Sequence, residues 1–208
     1  LGTCTVLQCA REAGVDRVVY SSTSSGYGLK NTPPLKESMP KDCLNPYSVT
    51  KCGGEDLCQM YYSLYGLKTI TLRYFNVYGE RQPVRGEYAP VIGLFLRQYL
   101  ADKEMTIVGD GSQRRDFTYI KDVVGANMAA FNTTNEKAYG QIFNVGTGIN
   151  YSINDLARMI GGKTKNLPPR PGEAHISLAD TTKTSKILGW KSLHSLEDWV
   201  SKEIENYK

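Results

Sequence analysis

The sequence predicts an α/β protein with a parallel sheet and crossover helices. Three observations support this class: strand-like apolar runs alternate with helical patterns, Gly14 and Gly66 follow two of those helical patterns, and polar residues follow the strands. The carboxyl ends of parallel strands lie at one edge of a sheet, where α/β proteins bind their ligands. We therefore expect functional residues after Tyr20, after Phe75 and after Val145.

The first half of the chain carries the clearest alternation of helix and strand. A helical pattern before Gly14 is followed by an apolar run at 17–20, which predicts a buried strand. A loop then leads to a helix that begins after Asn45 and ends at Gly66, and the β-branched and aromatic run at 69–75 predicts a second core strand. The stripe expected to be buried on this longer helix consists of Val49, Leu57, Met60, Tyr61 and Leu64.

The second half continues the alternation with shorter elements. Asn154 and Asp155 suit the N-terminus of one of its helices, because their side-chain oxygens can accept hydrogen bonds from free backbone N–H groups. No internal repeat or low-complexity tract interrupts the pattern. The predicted helices are 90–101, 121–133, 152–160 and 195–207, and the predicted strands are 106–108, 117–120 and 142–145.

Composition places the chain among ordinary globular proteins. Of its 208 residues, 22% are charged and 40% are hydrophobic, which argues against a disordered, collagenous or coiled-coil chain. The net charge of +4 includes no Lys/Arg block, so no nucleic-acid partner is expected, and no apolar run approaches the roughly 18 residues of a membrane span. Five cysteines without CxxC spacing favour reduced thiols in a cytoplasmic protein without a metal site.

One pair of residues on the predicted longer helix suggests catalysis. Tyr47 and Lys51 lie four residues apart and therefore share a helix face. A phenol has an unperturbed pKa near 10, and an ammonium about 5 Å away favours its ionised form by about 3 kcal/mol at an effective dielectric of about 20. Thr23, after the first strand, would relay a proton between an alcohol and Tyr47. Together these residues predict hydride-transfer chemistry on a secondary alcohol. Tyr99 and Lys103 share the spacing but follow no hydroxyl cluster, and we interpret them as packing and surface residues.

Seven short motifs occur in order along nearly the whole chain. They are YSSTSSGYG (20–28), PYSVTK (46–51), LRYFNVYG (72–79), GDG (109–111), RDF (115–117), NVGTG (144–148) and RPGE (170–173). Together they resemble the extended short-chain dehydrogenase/reductase family, in particular its NAD-dependent nucleotide-sugar epimerases and dehydratases. The resemblance implies the C-terminal part of a doubly wound, Rossmann-like parallel sheet, with a small mixed α/β lobe that binds the substrate.

The resemblance implies a role for each matching residue. Tyr47 would be the catalytic base, Lys51 would favour its phenolate and hold the nicotinamide ribose, and Thr23 would connect Tyr47 with the sugar hydroxyl. The cofactor NAD would also contact Ser21, Ser22, Tyr74 and Phe75. The substrate, a UDP-sugar, would contact Ser24, Ser25, Asn76, Val91, Arg115, Arg170, Glu173 and Ser177. Guanidinium groups suit a pyrophosphate, and a carboxylate suits a ribose diol.

The motif after the first strand bears on the reaction. Dehydratases of the family resemble one another in a Thr-Asp-Glu sequence, and decarboxylases usually carry Thr-Ser-Glu, whereas this chain has Thr-Ser-Ser at 23–25. Because that acid is absent, the resemblance implies 4-epimerisation by reversible hydride transfer at C4. Ser177 would leave room for an N-acetyl group, so UDP-N-acetylglucosamine is expected as a substrate beside UDP-glucose. Gly26 and Gly93 depart from the family pattern, which has a β-branched residue and a proline there.

The resemblance also suggests how the chain is organised. Residues 1–80 would form a partial cofactor and catalytic region, and 81–208 mainly the sugar-nucleotide lobe, with 114–148 returning to the core. The family's Gly-rich turn and acidic ribose-binding residue would lie upstream of Leu1, so we expect a piece of a longer protein. The alternative is a non-catalytic sugar-nucleotide-binding fragment that cannot hold NAD alone.

Association with a second chain is expected on two grounds. A piece that lacks its first strands would expose a parallel sheet edge and apolar faces. Relatives in the family also form dimers, through helices that correspond to 2–13 and 47–65 of this chain. The resemblance therefore implies a homodimer.

Overall fold

The centre of the molecule is a parallel sheet with helices on both faces. The computed structural model describes residues 1–86, 89–169 and 175–206. The α-helices of these residues are α1 (Gly2–Glu12), α2 (Pro46–Tyr65), α3 (Val91–Leu100), α4 (Ile120–Asn132), α5 (Ile153–Ile160), α6 (Thr182–Leu188) and α7 (Leu196–Glu205). Their strands are β1 (Arg17–Thr23), β2 (Lys68–Tyr74), β3 (Val77–Tyr78), β4 (Met105–Val108), β5 (Arg114–Arg115), β6 (Thr118–Tyr119), β7 (Gln141–Val145), β8 (Tyr151–Ser152) and β9 (Thr164–Leu167). Short 3₁₀ helices occur at Ser24–Tyr27 and Glu136–Ala138.

Strands β1, β2 and β7 form the central sheet in that order, and all three run parallel. Val18 and Tyr20 pack with α1 and α2, whereas Val19 packs in the cluster that α4 covers. Successive strand side chains point to opposite faces, so these contacts place α2 and α4 on opposite sides of the sheet. The predicted α/β class with a parallel sheet is therefore confirmed.

A second, mixed α/β unit lies beside the central sheet. Its strands pair as β4 with β9 and β3 with β6 in parallel, and as β5 with β8 in antiparallel orientation. Helices α3, α5 and α7 close over these strands around an apolar cluster that includes Phe95, Leu156 and Trp199. The boundary between a cofactor region at 1–80 and a substrate lobe at 81–208 stays a prediction.

Most predicted elements form close to their predicted bounds, and the differences have local causes. The first strand is longer than the predicted 17–20, because the Ser/Thr run continues the extended pairing with β2 as far as Thr23. Strand β9 and helix α6 were not predicted. The four residues of β9 are all exposed, and α6 is only seven residues long, so neither carries an apolar periodicity in the sequence.

The buried face of α2 differs from the predicted stripe. Val49, Met60 and Leu64 are exposed, so the prediction for these three residues was wrong. A Cβ atom on Gly54 would lie 2.1 Å from the Tyr20 hydroxyl, which shows how closely this helix approaches the sheet. Close approach requires small side chains, and the large apolar ones consequently point outward. The buried positions are Ser48, Cys52, Gly54, Glu55, Cys58 and Tyr61.

Two kinds of feature are absent from the described part of the chain. Across 1–86, 89–169 and 175–206, no helix combines the length and apolarity needed to cross a membrane. Within the same ranges, no three His, Cys, Asp or Glu side chains are grouped so that they could hold a metal ion.

Candidate active site

The start of α2 is fixed by its sequence. Asn45 caps the helix: its Oδ1 accepts from the Ser48 backbone N at 2.9 Å, and the Ser48 hydroxyl accepts from the Asn45 backbone N at 3.3 Å. Proline at the first helical position is compatible with the fixed φ of its ring. The cap places Tyr47 in the first turn, where the residue is 54% exposed. A phenol in this position is accessible to a ligand.

Lys51 joins α2 to the carboxyl end of β1. Its Nζ donates to the Ser21 carbonyl oxygen at 2.9 Å and lies 5.4 Å from the centre of the Tyr20 ring. The Tyr20 hydroxyl in turn donates to the Lys51 carbonyl at 3.3 Å. These contacts direct the ammonium group toward the carboxyl end of β1, and the pairing of Lys51 with Tyr47 stays a prediction.

The end of β1 presents hydroxyl groups to the same region. Thr23 is buried, and its Oγ1 accepts from the Ser25 backbone N and donates to the Ser25 hydroxyl, both at 3.1 Å. The Tyr74 hydroxyl donates its one proton to Asn127 Oδ1 at 3.0 Å. It therefore accepts the hydrogen bond from the Ser21 hydroxyl, which lies 2.9 Å away. The carboxyl ends of β1 and β2 are therefore joined by the side-chain hydrogen bond between Ser21 and Tyr74.

Ser22 points the other way, into the protein. Its hydroxyl donates to Glu55 Oε1 at 2.6 Å, and Glu55 also receives two hydrogen bonds from Arg73, at 2.8 and 2.7 Å. Burial alone would raise the pKa of Glu55, but the hydrogen bonds from Arg73 and Ser22 outweigh it and hold the pKa below its usual range. Sequence reasoning missed this buried pair, because a charged residue on a helix is usually a solvated surface group.

The segment after β2 is unusual in its backbone. Phe75 is fully buried, and its N donates to the Val145 carbonyl at 3.0 Å, which joins the ends of β2 and β7. Asn76 has a φ of +22°, a sparsely populated value for a residue with a side chain. Its Nδ2 donates to the Asp116 carbonyl at 2.9 Å and lies 3.4 Å from the Ser177 hydroxyl. Asn76 and Ser177, 101 residues apart in the sequence, thus lie side by side.

Two cavities adjoin at Asn76 and Arg115, which line both of them. The smaller cavity, about 190 Å³, also contains three of the predicted substrate residues, Ser24, Ser25 and Ser177. The larger one, about 410 Å³, also contains Val91 with apolar neighbours such as Val108, Phe117 and Leu167. Six of the eight predicted substrate residues therefore line these two cavities. Arg170 and Glu173 lie outside the described residues.

Asp116 organises the neighbouring turns and was not predicted as a site residue. Its buried carboxylate accepts from the backbone N of Thr147 at 2.8 Å, of Gly148 at 3.1 Å and of Ala179 at 3.0 Å. Burial raises the pKa of Asp116 despite these hydrogen bonds. Its place between Arg115 and Phe117 was the only signal in the sequence.

The two glycines that depart from the family pattern each have a steric explanation. A Cβ atom on Gly26 would lie 2.5 Å from the Cys52 Sγ, closer than any real contact. A Cβ atom on Gly93 would lie 2.7 Å from the Pro83 carbonyl oxygen. In both places the neighbouring group occupies the space that a side chain would need.

The arrangement defines a class of protein. A parallel α/β sheet ends in a run of Ser and Thr residues, the helix that carries Tyr47 and Lys51 packs beside that end, and a lobe with two adjoining cavities lies next to it. This is the architecture of the Rossmann-like α/β proteins. The family model described as the NAD dependent epimerase/dehydratase family matches residues 1–146, and the chain belongs to this family.

Individual epimerases are similar to this chain in sequence and in structure. The UDP-glucose 4-epimerase of Mycolicibacterium smegmatis is 36% identical over 100% of this chain and 67% of its own. Two solved structures are similar. The UDP-N-acetylglucosamine 4-epimerase of Methanobrevibacter ruminantium M1, in complex with UDP-N-acetylmuramic acid, has a TM-score of 0.91 and 30% identity over 98% of this chain and 66% of its own. The UDP-glucuronic acid 4-epimerase of Bacillus cereus, with UDP-glucuronic acid and NAD, has a TM-score of 0.87 and 34% identity over 99% and 65%. The chain thus spans about two thirds of the length of each.

Proposed function

We propose that this chain supplies the proton-transfer and sugar-nucleotide-binding residues of an NAD-dependent UDP-hexose 4-epimerase. The observation that carries the proposal is the pair Asn76 and Arg115 at the junction of the two cavities. In a UDP-sugar the diphosphate lies between the nucleoside and the hexose. An amide and a guanidinium at this junction suit a diphosphate, with the apolar cavity for the nucleoside and the serine-lined cavity for the hexose.

The proton steps are assigned to residues of α2 and β1. Tyr47, as phenolate, would accept the proton of the C4 hydroxyl directly or through Thr23, and Lys51 would stabilise that phenolate electrostatically. When bound, NAD supplies the hydride acceptor and donor that makes the change at C4 reversible. After the 4-keto sugar has turned over in the cavity, Tyr47 would return the proton.

The residues present fit one half of the cofactor. The Lys51 ammonium, the Tyr47 phenol and the Ser21–Tyr74 hydroxyl pair suit a ribose and a nicotinamide, with the Phe75 backbone beside them. The Ser22 hydroxyl already donates to Glu55, so only the backbone of this residue is assigned to the site. The 208 residues contain no GxxGxxG or GxGxxG pattern for the pyrophosphate.

That missing pattern favours a second candidate function. In this alternative the chain binds the sugar nucleotide but does not hold NAD by itself and does not turn over. The two candidates share the substrate cavities and differ only in cofactor affinity and activity. Both can therefore be tested with the same protein.

We also propose that the hexose site accepts an N-acetyl group. The described lining of the 190 Å³ cavity includes Ser177 and no Asp or Glu. A small hydroxyl leaves space beside the sugar, and the absence of a carboxyl group from this described lining argues against dehydration there. UDP-glucose and UDP-N-acetylglucosamine are thus both proposed substrates.

The decisive experiment follows C4 inversion of both UDP-sugars by NMR, with NAD added. We expect conversion by the wild-type chain and a loss of about 10²–10⁴-fold in kcat for Tyr47→Phe, because the variant keeps the ring but has no ionisable hydroxyl. The affinity for UDP, measured by calorimetry, should be the same in both proteins. UDP binding by an inactive wild-type chain would support the alternative, and activity on UDP-glucose alone would contradict the proposed N-acetyl site.

Three further features are proposed with this function. The cofactor region would comprise 1–80 and the substrate lobe mainly 81–208. A homodimer would form through α1 and α2, whose outer faces carry exposed Val6, Val49 and Leu64. The cytoplasm is the proposed location, because all five cysteines have free thiols.

A further inference from the structure

The buried ion pair of Glu55 and Arg73 takes no part in the proton transfer proposed above. Glu55 follows Tyr47 and Lys51 at successive four-residue steps on α2, so the three residues form one stripe along the helix. Glu55 is fully buried, and Arg73 is nearly so. The face of α2 that carries the proposed catalytic pair is therefore also the face held by this ion pair.

The ion pair connects α2 to two of the strands that end at the candidate site. Glu55 binds β1 through Ser22, the residue before Thr23, and binds β2 through Arg73, two residues before Phe75. The Arg73 guanidinium lies 4.7 Å from the centre of the Tyr27 ring.

From Tyr27 the connection continues to the third strand. The Tyr27 hydroxyl donates to Asn144 Oδ1 at 2.7 Å, which joins the 3₁₀ helix containing Ser24 and Ser25 to β7. Lys41 places a second cation 3.5 Å from Glu55 Oε2. One carboxylate is thus linked directly to α2, β1 and β2 and, through Arg73 and Tyr27, to β7.

A buried ion pair of this kind is a poor source of stability. The free energy needed to remove two charges from water is about as large as the free energy gained from their attraction. A protein with an apolar pair of the same size in this place is therefore often as stable. The two parallel hydrogen bonds between a guanidinium and a carboxylate, however, define one relative position, which an apolar contact does not. The pair therefore contributes geometry more than free energy.

We propose that Glu55 and Arg73 are a positioning pair, which sets the height and rotation of α2 so that Tyr47 and Lys51 face Thr23 at the end of β1. The inference rests on the proposed epimerase function. Neither residue touches the reacting atoms. Both act through the placement of α2 and of the ends of β1 and β2.

The test compares the wild-type chain with Glu55→Gln/Arg73→Met, which removes both charges and keeps the shapes. With NAD and a UDP-sugar, we expect kcat to fall about 10- to 100-fold while KM stays within about twofold, because neither Glu55 nor Arg73 lines the two cavities proposed for the sugar nucleotide. Arg73→Lys keeps the charge without the fork and should give an intermediate loss. This variant also serves if the double variant does not fold.

A matched control tests an ion pair at the opposite end of the same two strands. Lys68 Nζ lies 2.9 Å from Asp16 Oδ1, and the side chains of Lys68 and Asp16 are 40% and 75% exposed. Asp16→Asn/Lys68→Met should leave kcat and KM unchanged. Unchanged kcat in the folded double variant at Glu55 and Arg73 would overturn the proposal.

A structural readout separates this inference from the proposed function. In a crystal structure of the double variant, the 2.9 Å hydrogen bond from Lys51 Nζ to the Ser21 carbonyl should be broken or lengthened. If the wild-type chain converts no UDP-sugar, the function fails while this distance still decides the positioning role. If the distance from Lys51 Nζ to the Ser21 carbonyl oxygen in the double variant is the same as in the wild type, the positioning role is overturned whatever the kinetics show.

Discussion

At the scale of single residues, side-chain chemistry near a strand end was predictable, whereas buried charges were not. Tyr47 and Lys51 share a helix face because of their spacing, and Thr23 follows a strand, so both features appear in short stretches of sequence. The roles of Glu55 and Asp116, in contrast, depend on distant partners. Glu55 binds Arg73, 18 residues away, and Asp116 binds the backbone of Ala179, 63 residues away. No local pattern distinguishes such a carboxylate from an ordinary surface one.

Gly26 and Cys52 give a prediction at this scale. Gly26 has a backbone conformation open to other residues, since its φ is not positive, but a Cβ there would lie 2.5 Å from the Cys52 Sγ. Gly26→Ala should therefore destabilise the protein by ~1–3 kcal/mol through overpacking. Adding Cys52→Ala removes the sulfur and should restore part of that loss, with a coupling energy of about 1–2 kcal/mol.

Urea unfolding of the two single variants and the double variant measures this coupling. Cys52→Ala alone is the matched control, because it creates a small gap without a clash. Strictly additive changes in the free energy of unfolding would show that the thiol does not require glycine at position 26.

At the scale of elements, helix and strand positions were predictable, but the buried face of α2 was not. The exposed Val49 and Leu64 misled the apolar pattern, because this helix packs closely through Gly54 and Cys52 against the sheet. Apolar periodicity indicates which side of a helix avoids water, and it can indicate a second surface instead of the core. Element type thus follows from local sequence, whereas the packed face depends on what lies opposite.

Helix α4 offers a prediction on pH dependence. Asp122 in its first turn is 3% exposed and accepts from Ser192 Oγ at 2.7 Å and from the backbone N of Leu193 and His194 at 3.1 and 3.2 Å. Burial opposes its ionisation, but the hydrogen bonds from Ser192 and His194 prevail and lower the pKa of Asp122. This carboxylate should anchor the segment before α7 to α4.

The sign of the effect follows from the lowered pKa. Asp122 contributes stability above its unfolded pKa of about 3.9, and that contribution disappears as pH falls through the lower folded value. Asp122→Asn should lower the free energy of unfolding by ~1–3 kcal/mol at pH 7. The difference in this free energy between the variant and the wild type should become smaller below about pH 4. Urea unfolding at pH 7 and pH 3 measures this change, with exposed Glu104→Gln as control. A difference that is constant with pH would contradict the role of the ionised carboxylate.

At the scale of the whole molecule, the central sheet presents two apolar surfaces on its opposite sides. The first is the outer face of α1 and α2, with Val6, Val49, Met60, Leu64 and Tyr65 exposed. The second is a stripe on α4, with Ile120, Val124, Met128 and Phe131 exposed, and it lies beside β1, an edge strand of the described sheet. This arrangement agrees with the expectation that a sheet edge and apolar faces are exposed. Which surface another chain covers depends on a partner, and for that reason a single sequence does not encode it.

A glutamate introduced into each of the two surfaces should affect association differently. Leu64 is 64% exposed and Val124 is 55% exposed, so glutamate at either position should leave the free energy of unfolding nearly unchanged. A homodimer through α1 and α2 would enclose the new carboxylate of Leu64→Glu without a partner, which should weaken the dimer at least about tenfold. Val124→Glu should leave that dissociation constant as it is and reduce only further association through the α4 stripe. Sedimentation equilibrium over a range of concentrations distinguishes the two, because a closed dimer saturates and open association does not. If Val124→Glu abolished the dimer and Leu64→Glu preserved it, the interface would lie on α4 and the proposed pairing of α1 and α2 would be wrong.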